Sequence, residues 1–145
     1  MLKTILVPVD TTEESSWQGV LPLAVEQARR FGATLHVTTV VEHVDIDLPD
    51  LPSLGELSHR RRQGAAAALE AIARAHIPDD VTHQRHAAVG NVHREILGIA
   101  EQIGADLIMM ASHRPALKTY LIGTHAARVV RHAKCSVYVV RIGDS

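Results

Sequence analysis

The sequence predicts an α/β fold: a single doubly wound open sandwich with a five-stranded parallel sheet and about four helices. Two observations predict it. Short apolar runs rich in β-branched residues recur along the chain, and segments with helical spacing separate them. The runs are almost continuously apolar, which is typical of parallel strands buried on both faces. The resulting order, β-α-β-α-β-α-β-α-β, favours an open sheet with helices on both sides.

The five predicted strands are short segments dominated by Val, Ile, Leu and Thr, residues that suit a pleated and buried surface. They cover residues 4–9, 34–41, 81–89, 106–111 and 136–140. Ligands of such sheets bind at the carboxyl ends of the strands, where the strand order reverses. The segments after Val9, Val41 and Ala111 are therefore the places where a site is expected.

The first two predicted helices differ in character. The first covers residues 13–31 and is closed by Gly32, but Pro22 lies well past its first turn and is expected to kink or restart it. The second covers the alanine-rich residues 61–75, whose small side chains are expected to face the sheet.

The last two predicted helices flank the fourth strand. Between residues 91 and 104 the apolar side chains follow helical spacing and Gly104 is placed as a stop; these side chains are Ile96, Ile99, Ala100 and Ile103. A short final helix is expected over residues 124–132, before the last strand.

Composition limits the class of protein. The length of 145 residues suits one domain over residues 1–145. The chain carries 15 Lys and Arg against 16 Asp and Glu, and this formal charge of −1 argues against nucleic-acid binding. No apolar stretch is long enough to span a membrane. The lone Cys135 cannot form an internal disulfide and is expected to pack as a small hydrophobe. These features favour a cytoplasmic protein.

One acidic segment interrupts the alternation of strands and helices. Residues 31–59 contain no Lys or Arg, while acidic residues, Pro and Gly are concentrated after Val41. We interpret residues 42–58 as a mobile loop that closes over a ligand, with a rigid element as the alternative. The following basic run, residues 60–62, is expected to be the solvated first turn of the second helix.

The stretch from Ala111 to Thr124 has the features of an anion site. It leaves a buried strand and enters a helix at Gly123 and Thr124, where free N–H groups and the helix dipole favour a phosphate. The alternative is an ordinary helix entry with Thr124 as the N-cap.

Three groups of residues together resemble the universal stress protein family over essentially the whole chain. They are Val-Pro-Val-Asp at 7–10, Gly-Ala-Asp-Leu-Ile-Met-Met at 104–110, and Gly123-Thr124 through the segment 130–137. The resemblance implies a Rossmann-like sheet with strand order 3-2-1-4-5. It also implies an ATP-binding regulatory protein of the stress response, which forms a homodimer through the last strand and acts on an unidentified regulatory partner. The dimer strand comprises Val137, Tyr138, Val139 and Val140.

The phosphate loop of ATP-binding family members is written G-x2-G-x9-G-[ST]. Here Ala111 and Arg114 occupy the first two glycine positions, and eight residues separate Arg114 from Gly123. The segments around this loop look like the F/G-type branch of the family, in which an alternative loop accompanies nucleotide binding. Arg114 and His113 are then expected to contact phosphate oxygens directly. The implied cofactor is ATP, with magnesium carried on its phosphates.

The remaining site residues follow from the same resemblance. Asp10 matches the aspartate beside the ribose, with an Asx-turn as the alternative, and Gly90 lies at the same rim, with a simple turn glycine as the alternative. Val40 and Val41 lie where backbone groups read the adenine edge, and Pro8 and Val9 form its wall. The complete predicted nucleotide-binding set is Pro8, Val9, Asp10, Val40, Val41, Gly90, Ala111, Ser112, His113, Arg114, Gly123, Thr124 and His125.

Three functions remain open at this point: a nucleotide-binding regulator, a slow ATPase or autokinase, and a dimeric interaction module that binds no nucleotide. Efficient catalysis is not expected, because Asp10 is the only carboxylate placed at the rim and the Gly-x4-Gly-Lys-[ST] loop is absent. The ten histidines show no metal-binding spacing, and His83 and His86 are expected on opposite faces of a strand.

Overall fold

The computed structural model describes residues 2–42, 54–112 and 123–141. It confirms the α/β class, with one five-stranded parallel sheet in the order β3-β2-β1-β4-β5. The strands are β1 (Thr4–Pro8), β2 (Thr34–Val41), β3 (His83–Val89), β4 (Leu107–Ala111) and β5 (Ser136–Val140). The helices are α1 (Val20–Phe31), α2 (Leu54–His76), α3 (Val92–Ile103) and α4 (Thr124–His132), with a 3-10 turn at Glu14–Ser16.

The strand order reverses at β1, which pairs with β2 on one edge and β4 on the other. Its register runs from Thr4↔Thr34 to Pro8↔Thr38 along β2, and covers only Ile5↔Leu107 and Leu6↔Ile108 along β4. Asp106 fixes the start of the second pairing, because its Oδ2 accepts hydrogen bonds from the N–H groups of Lys3 (2.9 Å) and Thr4 (3.0 Å). These two bonds lower the pKa of Asp106.

Pro8 explains why the β1–β4 pairing is short. Alternate residues of a strand direct their N–H groups to opposite edges. The Val9 N–H donates to the Thr38 carbonyl of β2 at 2.8 Å, whereas the Thr4 N–H donates to Asp106 on the β4 side. Position 8 therefore faces β4, and proline has no N–H to offer there. The two central strands separate beyond this point.

Two apolar cores cover the two faces of the sheet. Ile5 and Val7 of β1 and the following Val9 belong to the core under α1 and α2, while Leu6 belongs to the core under α3 and α4. Both neighbours of β1 show the same alternation. The central strands are apolar on both faces for this reason, as the sequence predicts.

The first helix is shorter than predicted. Residues 14–16 form the 3-10 turn and α1 begins at Val20, so Pro22 lies in its first turn, where its missing N–H has no helical acceptor. Of the two expected effects of Pro22, the restart is the one observed. Gly32 ends the helix as predicted, in the left-handed conformation with φ of 65°.

The second helix is longer than predicted. It begins at Leu54, so residues 54–58 of the predicted 42–58 loop are helical, and residues 43–53 lie outside the described residues. The basic run 60–62 is consequently not in the first turn of α2. The predicted start of the second helix is wrong because the alanine-rich residues occupy only the middle and end of α2, while its first turns have a different composition.

The last two helices lie where the sequence places them. Asn91 caps α3 by accepting a hydrogen bond from the Arg94 N–H at 3.2 Å, and Gly104 ends it with φ of 66°. In α4, Gly123 occupies the N-cap and Thr124 is the first helical residue, so Thr124 is not the N-cap. The predicted β1 extends one residue too far at its carboxyl end, and the predicted β3 and β4 begin two residues and one residue too early.

A histidine pair joins β2 and β3 on the face under α3. His36 Nδ1 lies 2.8 Å from His86 Nε2, and the two rings stack with centroids 5.1 Å apart. Burial is the main cause that lowers the pKa of each, and the charge of His86 lowers the pKa of His36 further. One ring donates to the other, so the pair is accommodated in its neutral form. His83, three residues earlier on β3, lies on the opposite face as predicted.

This pair predicts a loss of stability in mild acid. Because the pKa values of His36 and His86 are lower in the folded chain than the ordinary 6.5, the unfolded chain binds more protons as the pH falls below that value. Stability is therefore full above pH 6.5 and decreases from there downward, by at most about 1.4 kcal/mol per pH unit for each histidine. Urea unfolding between pH 8 and pH 5 measures this slope. We expect His86→Gln to reduce it, and the exposed control His76→Gln to leave it unchanged; equal slopes in the two variants would contradict the assignment.

Candidate functional site

A cavity of about 660 Å³ opens at the carboxyl edge of the sheet, where β1 and β4 separate. Its walls come from the ends of β1, β2 and β4, from α2, and from the first turns of α3 and α4. The volume lies in the range of small-molecule and cofactor sites, and the location is the switch point at which open parallel sheets bind ligands.

The cavity brings together most of the residues predicted from the sequence. Those that line it are Pro8, Val9, Asp10, Val40, Val41, Ala111, Ser112, Gly123 and His125. Gly90 and Thr124 lie next to lining residues but are not part of the wall. His113 and Arg114 lie outside the described residues.

Asp10 is held at the cavity rim by its own turn. Its Oδ1 accepts hydrogen bonds from the Thr12 N–H at 2.9 Å and the Thr12 hydroxyl at 2.7 Å, and the Asp10 N–H donates to Ser16 Oγ at 2.8 Å. This is the Asx-turn that the sequence offered as an alternative. The turn and a ligand contact are compatible, because both of these bonds to the carboxylate are made by Oδ1.

The apolar part of the cavity lies between β2 and α2. Val40 and Val41 end β2; the Val40 side chain packs toward α3 and α4, while the small residues Gly64, Ala65 and Ala68 line the cavity from α2, on the face of Val41. Among the described residues, a Cβ atom added at Gly64 would meet nothing within 4 Å. The alanine-rich composition of α2 therefore leaves space at this end of the sheet.

Three charged residues of the wall were missed by sequence reasoning. Arg61 lines the cavity from α2 and donates from Nη1 to the Glu42 carbonyl at 3.2 Å, so it is not simply a solvated residue. Glu13 and Glu42 also line the cavity, so Asp10 is not the only carboxylate there. The available signal was a run of three arginines that directly follows a long segment without Lys or Arg.

The opposite wall consists of the end of β4 and the start of α4. Ser112 is buried, and its N–H donates to the Val140 carbonyl at 2.8 Å, which fixes the end of β4 against β5. Gly123 is buried at the N-cap of α4 and carries no capping side chain. His125, in the first turn, has a buried Nδ1 with no hydrogen-bond partner among the residues that the structure describes. This wall therefore offers helix N–H groups and an imidazole nitrogen, which suit an anion.

Gly90 shapes the rim from outside the cavity. It has φ of 155°, its N–H donates to the Val41 carbonyl at 2.9 Å, and a Cβ atom there would lie 2.6 Å from Glu95 Oε1. The glycine thus fixes the end of β2 against the turn into α3, in agreement with the turn-glycine alternative.

A metal centre and a membrane-spanning helix would be two other kinds of functional element. No group of three or more His, Cys, Asp or Glu side chains within residues 2–42, 54–112 and 123–141 is arranged to hold a metal ion. None of the helices that the structure describes is long and apolar enough to cross a bilayer. Cys135 packs against the core under α3 and α4, where burial raises the pKa of its thiol.

Comparison with known proteins gives a consistent result. The model of the universal stress protein family matches residues 1–141. Universal stress protein G of Escherichia coli O157:H7 is 29% identical over 150 residues, which cover 97% of this chain and all of that protein. The universal stress protein UspA from Lactobacillus plantarum superposes with a TM-score of 0.78 at 26% identity, covering 97% and 98% of the two chains.

A third relative carries a ligand. A universal stress protein family protein from Arabidopsis thaliana, solved with AMP bound, superposes with a TM-score of 0.60 at 14% identity. The alignment covers 97% of this chain and 92% of that one. At this identity the likeness establishes a shared fold.

The geometry at Gly90 predicts a stability effect of specific sign. We expect Gly90→Ala to destabilise the fold by about 1–3 kcal/mol, because the new side chain meets Glu95 and the backbone adopts a conformation that favours glycine. Gly98→Ala is the matched control: Gly98 lies in α3 with nothing within 4 Å of an added Cβ atom, so alanine there should stabilise by up to about 1 kcal/mol. Urea unfolding of both variants measures the difference. A neutral Gly90→Ala would show that the turn is relaxed.

Proposed function

Because the chain belongs to the universal stress protein family, we propose that its cavity binds an adenine nucleotide, ATP with magnesium on its phosphates, and that the protein is a dimeric regulator of the stress response. The observation that carries the proposal is the cavity itself. It combines an apolar wall, a fixed carboxylate and the start of a helix at the switch point of the sheet.

The nucleoside end of the ligand suits the wall formed by β1, β2 and α2. The base would lie at the end of β2, beside Val40 and Val41, with Gly64 and Ala65 lining the α2 side of the cavity. Asp10, already fixed by Thr12, would accept a hydrogen bond from a ribose hydroxyl. A rigid carboxylate loses little conformational freedom when the ligand binds, which favours affinity.

The phosphate end suits the start of α4. The N–H groups of its first turn, the buried N-cap Gly123 and the helix dipole favour negative charge. Arg114 and His113, the phosphate contacts implied by the sequence, belong to this part of the proposal. Magnesium on the phosphates would offset the repulsion from Asp10, Glu13 and Glu42, which share the cavity.

The chemistry of the wall favours binding over turnover. Efficient phosphoryl transfer commonly relies on a lysine phosphate loop, and the sequence contains no Gly-x4-Gly-Lys-[ST] motif. We therefore propose that the nucleotide acts as an effector in the cytoplasm, where occupancy changes what the dimer recognises. The AMP bound to the Arabidopsis relative supports an adenine nucleotide as the ligand class.

Closing the cavity from α2 tests the proposal. We expect the leucine side chain of Gly64→Leu to fill the space beside Val41. The affinities for ATP and adenosine should both fall by about tenfold or more, which corresponds to about 1.4 kcal/mol. The helix tolerates the change because leucine is a better helix former than glycine. The control, Gly98→Leu, makes the same substitution in α3 away from the cavity and should leave both affinities unchanged. Calorimetric titration of the wild type and both variants measures them, and equal affinities in all three proteins would contradict the site.

The dimer has its own test at β5, which occupies one edge of the sheet. The Val140 carbonyl accepts from Ser112 on the β4 side, so alternate residues place the N–H of Val139 on the free edge. Val139→Pro therefore removes an outward donor while leaving the β4 ladder intact. We expect the wild type to sediment as a dimer and the variant as a folded monomer at micromolar concentration. A monomeric wild type would refute the dimer.

A further inference from the structure

The helices α3 and α4 pack side by side, and both begin at the cavity. Val92 and Ile96 line the cavity from α3, and His125 and Ala126 line it from α4. Ile96 and Ala126 belong to the same buried core, which holds the two helices together below this point. The surface between the first turns of α3 and α4 is therefore a direct continuation of the cavity wall.

Basic side chains are concentrated along this surface. His93 follows Val92 in the first turn of α3, and its pKa is lowered first by burial and then by four basic neighbours: Arg128, His125, Arg94 and His132. Three of these neighbours, His125, Arg128 and His132, recur at i, i+3 and i+7, so they form one stripe of α4. We call His93, His125 and Arg128 the basic cluster.

Few acidic groups are available to balance this charge. The acidic residues of α3 are Glu95 and Glu101; Glu95 packs against Gly90, and Glu101 forms an ion pair with Lys134. No ion pair within residues 2–42, 54–112 and 123–141 includes a member of the basic cluster. His125 also has the buried Nδ1 that finds no hydrogen-bond partner in the described part of the chain. The positive charge of Arg128 beside two imidazoles lacks a counter-charge among these residues, so an anion placed here would be stabilised.

We infer that the basic cluster is a phosphate subsite, formed by side chains of two helices, that extends the cavity beyond the start of α4. The inference rests on the proposed function in one respect, because it assigns the subsite to the terminal phosphate of the bound nucleotide. The phosphate chemistry itself does not depend on that assignment. The imidazoles donate single hydrogen bonds, and the guanidinium of Arg128 donates two in parallel to one phosphate.

The subsite implies a preference for long phosphate chains. A ligand that ends at its first phosphate reaches the N–H groups of α4, whereas a diphosphate or triphosphate extends along the surface between the two helices. ATP should therefore bind more tightly than AMP, and the difference should depend on side chains of the basic cluster. The affinity for adenosine should not depend on these side chains.

The test compares two arginines of the same helix. Arg128→Gln removes a charge from the basic cluster, while Arg131→Gln removes the same charge from an exposed position that does not act on His93. Calorimetry at constant ionic strength gives the affinities of both variants for ATP, AMP and adenosine. We expect Arg128→Gln to lower the affinity for ATP by about tenfold and the affinity for adenosine by less than about twofold. Arg131→Gln should change neither affinity by more than about twofold.

Titration with inorganic tripolyphosphate distinguishes a bound nucleotide from a free polyphosphate as the ligand of the subsite. A loss of ATP affinity confined to Arg128→Gln supports the subsite and its assignment to the nucleotide. If adenosine and ATP fail to bind the wild type, the proposed function fails, yet selective weakening of tripolyphosphate by Arg128→Gln, followed through the imidazole resonances of His93, would still support a phosphate subsite. Equal effects of the two arginine variants on both ATP and tripolyphosphate would overturn the inference.

Discussion

The strand β1 pairs with β2 on one edge and β4 on the other, and the rest of the site depends on this double pairing. The chain must cross the sheet in one direction to reach β2 and in the other to reach β4, so α1 and α2 cover one face while α3 and α4 cover the other. Asp106 ties the start of β4 to the N–H groups of Lys3 and Thr4. At the other end Pro8 has no N–H for β4. The sheet is therefore closed at the amino ends of these strands and open at their carboxyl ends, where the cavity forms.

The two sides of the cavity differ in charge because they belong to different layers. The side of β1 and β2 carries Asp10, Glu13 and Glu42, and Arg61 of α2 reaches across to the Glu42 carbonyl. The side of α3 and α4 carries helix N–H groups and basic side chains. A ligand with a neutral heterocycle, hydroxyl groups and a negative tail matches this polarity in one orientation. The same asymmetry explains why a net charge of −1 gives no indication of an anion site.

The histidines show how one residue type takes separate roles in one fold. His36 and His86 satisfy each other inside the sheet, in a neutral pair that joins β2 to β3. His93 and His125 lie beside Arg128 near the starts of α3 and α4, where an anion would favour the charged form of His93. Sequence spacing could exclude the common metal motifs, but it could not distinguish these two environments. Both depend on which strand or helix lies beside the histidine, and the pairs are separated by tens of residues in the chain.

What the sequence by itself determined is local. The limits of β2 and β5, the end of α1 at Gly32 and the end of α3 at Gly104 follow from apolar periodicity and from glycines that adopt positive φ, which neighbouring residues along the chain encode. Motif resemblance extended this to the strand order and to most of the cavity wall. Only the tertiary structure decided that α2 begins at Leu54, that Arg61 lines the cavity, and that the charge of Arg128 acts on His93. These outcomes depend on contacts between elements distant in sequence, and the free energy of such contacts is set by the packing of the whole sheet and its helices rather than by any one segment.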